Sequence, residues 1–313
     1  MTEETAAPPS SGPAQAAARA RRAWLRVLAA AVLIVLGWIG WHYGVEMPAM
    51  RRSAAKRAEN ARTITDLNLD LVWIAPGTFL MGTPQTFVAR WFYDTRKQIT
   101  HKPGPADGDS AIERPMTWVT LTQPFWLGRT EVTQAQWTAV MGSNPSHFKG
   151  DDLPVEMVSW DDAMMFCLKL TERERAAGRL PVGYAYTLPT EAQWEYACRA
   201  GTTGNYAGDL DAMAWYDQNS GVTTHPVATK QLNAWGLADM SGNVWEACLD
   251  WYGGYRGGEV TNPRGPVSGS EHIHRGGDFG GTANYARSAY RFHPQLGFRS
   301  LSLGFRLALS AVR

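Results

Sequence analysis

His274-Arg275-Gly276-Gly277-Asp278-Phe279-Gly280-Gly281, followed by Tyr285-Ala286-Arg287-Ser288-Ala289-Tyr290-Arg291 and closed by Leu303-Gly304-Phe305-Arg306, is the stretch on which the reading of this chain turns. Arg275, Arg287, Arg291, Arg299 and Arg306 gather there among tyrosine and phenylalanine. A guanidinium presents a planar fork of donors and an aromatic ring a flat face, so such a cleft suits extended peptides, carboxylates or sugars. The competing account is structural, with the arginines pairing to buried carboxylates such as Glu131, Glu195 or Asp250 to hold loops. His272 and His274 are two residues apart, so on a strand both face one side, with His293 as a conceivable third metal ligand; solvated surface histidines are the plainer account.

Further segments line up outward from this stretch. Val72-Trp73-Ile74-Ala75-Pro76-Gly77-Thr78-Phe79 with Met81-Gly82 reads as an opening strand pair, followed by Phe125-Trp126-Leu127-Gly128 and Glu131-Val132-Thr133. Pro154-Val155-Glu156-Met157-Val158-Ser159-Trp160, then Leu188-Pro189-Thr190-Glu191-Ala192-Gln193-Trp194-Glu195-Tyr196-Ala197, and finally Gly242-Asn243-Val244-Trp245-Glu246 complete the order. In this order the segments resemble the formylglycine-generating enzyme (sulfatase-modifying factor) family over residues 70 to 309. The resemblance implies an α+β domain of C-type-lectin-like fold with low regular secondary structure, three helices and small antiparallel sheets.

In that family an Arg-Gly-Gly-Ser-Tyr-x-Cys pattern is followed five residues on by a second cysteine, and the two thiolates bind copper(I). Here those positions are Gly281 and Ala286. Neither side chain ligates a soft metal or acts as a nucleophile, so formylglycine synthesis and copper are not expected, and the chain reads as a pseudoenzyme. The family's peptide groove lies near the missing cysteines, which makes Arg275, Asn284, Tyr285, Arg287 and Arg291 the expected ligand groove. Asp278, at the family's serine position, together with Asn284, Tyr285, Tyr290 and His293, is the polar set that an enzyme of altered chemistry would have to use. The resemblance also implies structural calcium at Asp239, Gly242, Val244 and Glu246, the middle two through main-chain carbonyls. Hard calcium takes oxygen ligands, and Asp239 keeps an oxygen where the family has Asn. The alternative is that Glu246 caps a helix or pairs with an arginine.

Composition fits a compact domain: of 313 residues, 44% are hydrophobic and 14 are Trp, enough for a large core. A formal net charge of +1 leaves no electrostatic footprint for nucleic acid. Cys167, Cys198 and Cys248 form no Cys-x-x-Cys. Cys167 and Cys198 fall on apolar helix faces as small hydrophobes, and one disulfide with a thiol left over is the other arrangement.

The N-terminal part is of another kind. Residues 1–23 read as a disordered basic leader, 24–45 as a transmembrane anchor, 46–69 as a stalk and 70–313 as the domain. Val27 to Val45 holds no Asp, Glu, Lys or Arg and would make a helix of about 28 Å, close to a hydrocarbon core of roughly 30 Å. Trp24, Trp38, Trp41 and Tyr43 sit toward its ends as interfacial aromatics do. A cleavable signal peptide is the competing account, but no small-x-small site follows the run. Arg51, Arg52, Lys56 and Arg57 counter the leading basic cluster, yet a short leader before a large domain favours a single pass with the domain on the periplasmic or other extracytoplasmic side.

Three helix starts follow from capping chemistry: Thr133-x-x-Gln136, Ser159-x-x-Asp162 and Thr190-x-x-Gln193. Ala163, Phe166, Cys167 and Leu170 share a face of the second helix, Trp194, Ala197 and Cys198 a face of the third, and Gly142, Gly178 and Gly201 serve as stops. The function expected is that of a membrane-anchored accessory module, binding a protein or another ligand without formylglycine chemistry. The alternative is a cysteine-independent oxidoreductase acting on a peptide or siderophore-like substrate.

Overall fold

The computed structural model describes residues 47–83 and 108–312. The anchor expected over 24–45 lies outside them, and no helix among the described residues is long and apolar enough to cross a membrane. By packing, the chain divides into residues 1–56 and 57–313. The expected stalk contains helix α1 (Met47–Glu59), and from 62 onward that segment already belongs to the sheet.

All three capping boxes form. Helices α2 (Gln134–Met141), α3 (Trp160–Ala176) and α4 (Glu191–Arg199) start at Thr133, Ser159 and Thr190, and in each the N-cap hydroxyl and the side chain three residues on satisfy each other's backbone amides. Gly142 closes α2 in the left-handed conformation as expected. Ala200 takes that position in α4 at φ 45°, with Gly201 following, and Ala177 ends α3 before Gly178. A further short helix, α5, covers Leu210–Met213.

Strands β1 (Arg62–Ile64), β2 (Leu69–Ile74), β5 (Phe125–Gly128), β6 (Tyr184–Thr187) and β11 (Ala308–Ala311) form an antiparallel sheet in the order β1-β2-β5-β11-β6. Strand β3 (Gly77–Met81) joins β4 (Thr117–Leu121) and β8 (Gly258–Thr261), so the expected opening strands belong to different sheets rather than to one pair. Only Ala75 and Pro76 separate them, and Pro76 has no N–H to offer a ladder. Strands β7 (Trp245–Trp251), β9 (His272–Arg275) and β10 (Leu303–Gly304) make the third sheet. The expectation of purely antiparallel sheets fails at two places, because β4 with β8 and β7 with β10 run parallel. In both cases other strands or helices intervene in the chain between the two partners, so the second strand returns in the same direction.

Both faces of the five-stranded sheet are covered, as its alternation dictates. Leu69, Leu71, Leu307 and Leu309 face a core with Trp137 of α2 and Phe166 and Leu170 of α3. Ile74, Phe125, Leu127 and Ala308 face a second core with Trp194, Ala197 and Cys198 of α4. The helix faces read from periodicity are the buried ones.

Thr190→Ala is expected to cost about 1 kcal/mol, the usual weight of an N-cap, and Phe166→Ala roughly 3–5 kcal/mol. Urea denaturation measures both, and equal costs for the two would mean that the cap, not the packing, anchors these helices.

Candidate functional site

The arginines of the opening stretch are inside the protein. Helix α4 begins with Glu191 and reaches Glu195 one turn later, so two carboxylates lie on one buried face. Arg275, from β9, pairs with Glu195 through Nη2, lies 3.2 Å from Glu191 through Nε, and donates to the carbonyls of Ser288 and Tyr290. Arg291 forks onto Glu191 at 2.6 and 2.9 Å. Arg287 forks onto Glu113 at 2.8 and 2.7 Å and also donates to Asn284 Oδ1. Burial pushes the Glu195 carboxyl up, but Arg199, Arg275 and the Gly82 amide hold it below the ordinary range. Arg275, Arg287 and Arg291 thereby hold loops to helix α4 and to Glu113. Arg299 is the exposed exception and bonds Asp162, the acid of the second capping box.

Around Gly281 and Ala286, where the resemblance puts the family's cysteines, the backbone is crowded. Gly277 has φ +77°, and a Cβ there would lie 2.9 Å from the amide nitrogen of Ala286. A Cβ on Gly281 would lie 2.7 Å from Asp278 Oδ1 and 3.0 Å from the Tyr285 ring, so the Asp278 carboxylate occupies the space that a side chain at 281 would need. Burial raises the Asp278 carboxyl although Ser302, the Gly281 amide and Trp245 donate to it. Ala286 is buried, and its carbonyl accepts from Ser241. Trp245 carries a cluster of rings, with centroids at 6.2 Å for Tyr285, 5.8 Å for Tyr290 and 5.0 Å for Phe292. Phe298 packs edge-on against Phe292 and is exposed, as are Leu296 and Leu301 of the same stretch of chain.

No thiolate serves this place. Cys167, Cys198 and Cys248 are buried and unpaired, as the small-hydrophobe reading expected. Burial pushes each thiol up, Cys198 to about 11 while its Sγ donates to Met240 O and approaches Ser288 Oγ.

The loop expected to hold calcium has its carboxylates committed elsewhere. Both oxygens of Glu246 accept from Arg306, at 2.5 and 2.6 Å, and Trp194 Nε1 donates to one of them. Asp239 Oδ2 accepts from the Ala228 amide, and burial pushes its carboxyl up to about 6 against the opposing pull of that amide and of Arg306. Gly242 and Val244 fix the turn through their amides, to Gly276 O and Glu131 Oε1. Glu246 is thus paired with Arg306, which is the alternative reading of that residue. Among the described residues no group of three or more His, Cys, Asp and Glu is arranged to hold a metal.

The histidines are packed rather than solvated. His272 lies between the Trp160 and Trp251 rings at 3.8 Å from each, and His274 is buried, with burial driving its ring to about 3. His293 stacks on Tyr252 and meets Glu271 at 3.1 Å, apart from the other two.

Asp250 is a residue for which sequence gave only a pairing role. It is buried beside the start of α4, its Oδ2 accepts the Glu191 amide at 2.9 Å, and burial together with the Glu191 charge raises its carboxyl to about 7. It lines a cavity of about 490 Å³ between the β3-β4-β8 sheet, helix α4 and the 250–266 loop. No local signal marks it, because the cavity joins segments far apart in the chain.

Residues 56–311 match the sulfatase-modifying factor enzyme 1-like domain. Chaperone protein LppX of Paenibacillus barcinonensis is 32% identical over 219 residues, covering 55% of this chain and 75% of that protein. The formylglycine-generating enzyme of Mus musculus is 32% identical over 206 residues, covering 59% of this chain and 51% of the enzyme, so the chain spans about half the length of that relative. Treponema denticola variable protein 1 superposes with a TM-score of 0.66 at 30% identity, covering 80% of this chain and 98% of that structure.

Removing one partner of a buried pair leaves an uncompensated charge, so Glu246→Gln is expected to cost about 3–5 kcal/mol. Thermal melts in calcium chloride and in EGTA should show the same loss; a loss confined to calcium buffer would return the ion to the 239–246 loop. A second outcome concerns pH. Asp250 keeps its proton up to about 7 when folded, against 3.8 ordinarily, so the folded chain binds the extra proton and this group's stabilisation falls as pH rises from about 4 to 7. His274, at about 3 against 6.5, acts oppositely, its contribution rising with pH over its own window. Asp250→Asn removes only the first effect. Its unfolding free energy relative to the parent protein should therefore climb between pH 4 and 7 in urea titrations, and a constant difference would place the Asp250 carboxyl at its ordinary value.

Proposed function

The chain belongs to the sulfatase-modifying factor enzyme 1-like family, and from that premise we propose that it is a cysteine-less member working as a binding or accessory module rather than a formylglycine-generating oxidase. The observation that carries the reading is the pair Gly281 and Ala286, with Asp278 filling the space beside the first and every cysteine among the described residues buried elsewhere as a neutral thiol. The resemblance implies that the family's oxidases hold copper(I) on soft thiolates, and the corresponding place here offers a carboxyl and a cluster of rings. Exposed Leu296, Phe298 and Leu301 beside those rings supply apolar contact for a protein or peptide partner. The naming of one similar protein as a chaperone favours the same reading.

In this proposal the domain has the C-type-lectin-like form of its family and is carried on a single membrane anchor over residues 24–45, facing the periplasm or another extracytoplasmic space. The uncharged run from Val27 to Val45 supports the anchor. The arginine pairs give the module a rigid frame on which irregular loops present the contact surface.

The test is mass spectrometry of a Cys-x-Pro-x-Arg sulfatase peptide incubated with the full-length protein, copper and oxygen. The expected outcome is no conversion of cysteine to formylglycine. Conversion would overturn the proposal in favour of an oxidase of altered chemistry built on Asp278, Tyr285 and Tyr290.

A further inference from the structure

The 490 Å³ cavity lies within the size range of small-molecule sites, and none of Asp278, Gly281, Tyr285 or Ala286 lines it. Its charged lining is unbalanced. Arg256, Arg264 and Arg291 face it together with Glu191 and Asp250, and Arg291 is already forked onto Glu191. That leaves two guanidiniums against one carboxyl. Arg256 and Arg264 are exposed and make no ion pair or hydrogen bond among the described residues, although Arg264 is close enough for its charge to act on Asp250.

The walls are flat and apolar. Trp251 and Tyr255 contribute rings, Pro263 and Pro266 contribute pyrrolidine faces, and Val119 and Val260 line it from the sheet. Tyr255 is held in place by its hydroxyl, which donates to Glu191 at 3.1 Å, and by the Arg291 guanidinium 4.2 Å over its ring. Trp251 is held by its stack on His272. Two planar walls are thus fixed before any ligand arrives, which lowers the ordering cost of binding.

We propose that this cavity is a binding site for a small aromatic carboxylate, its ring held between Trp251, Tyr255 and the prolines and its carboxylate met by Arg256 and Arg264. Guanidinium forks match the planar carboxylate in shape as well as charge. Asp250 does not oppose the anion, because near neutrality its buried carboxyl retains its proton for a substantial fraction of the time and serves as a donor at the cavity wall. The site stands on its own observations and does not depend on what docks beside Gly281.

The test is calorimetric titration of the full-length protein with 2-naphthoate and with 2-naphthamide, which keeps the ring and loses the charge. Naphthoate is expected to bind at least about tenfold more tightly than the amide, a difference of about 1.4 kcal/mol. Arg256→Ala with Arg264→Ala is expected to abolish that preference without lowering the melting temperature, since neither side chain holds the fold. Val260→Trp, filling the cavity from the sheet side, is expected to remove binding of both probes. Equal affinity for the two probes, naphthoate binding unchanged in the arginine double variant, or no naphthoate binding at all would each overturn the assignment.

Discussion

The Arg306–Glu246 pair is the interaction on which the rest of the domain depends. Arg306 is fully buried, and every donor of its guanidinium is used. Nε and Nη2 fork onto Glu246, Nη1 reaches the carbonyls of Gly128 and Arg129, and Nη2 also reaches that of Ala238. One side chain thereby ties the end of β5, the 238–244 turn and β7 to the segment between β10 and β11. A buried guanidinium is tolerable only when its partners are in place, so those segments have one permitted arrangement. Glu131 and Asp239 add further carboxylates nearby, and burial with the neighbouring acids pushes Glu131 well above the ordinary range, which limits the negative charge that accumulates around Arg306.

The same device recurs along the chain and explains why a domain with so few long strands and helices is nevertheless ordered. Arg275 with Glu195, Arg291 with Glu191 and Arg287 with Glu113 each bind an irregular segment to an anchored carboxylate. Loops tied in this way need little regular hydrogen bonding of their own. The surface around Gly281 is built on that frame: Gly276 and Gly277 sit at positive φ, Ala286 comes within contact of the Gly277 backbone, and Asp278 fills the gap.

What the sequence disclosed was local. The two partners of each capping box are three residues apart, and the buried residues of α3 and α4 recur within a few positions of one another, so each signal is written within one or two turns of chain. The family resemblance disclosed the domain beyond those turns. The partners of the arginines were hidden because Arg287 and Glu113 are 174 residues apart and Arg291 and Glu191 are 100 apart, distances at which no periodicity operates. The same separation hid the parallel pairing of β4 with β8 and the cavity beside Asp250. The histidines of β9 lie inside rather than on the surface, because Trp160 of α3 and Trp251 sandwich His272 and His274 is buried against Phe292.

Strand β11 lies between β5 and β6, with partners on both sides, although residues 308–311 follow every other strand of that sheet in the chain. A ribosome or translocation channel delivering this polypeptide from its N-terminus therefore releases β5 and β6 with the place between them still empty. Until that last segment emerges, β5 and β6 each present an unpaired edge, and the apolar faces of α2, α3 and α4 lack part of the surface they cover. Closure of the sheet therefore waits on residues 308–311, and before they arrive the nascent chain passes through a period of exposure in which strand exchange with other chains competes with its own closure.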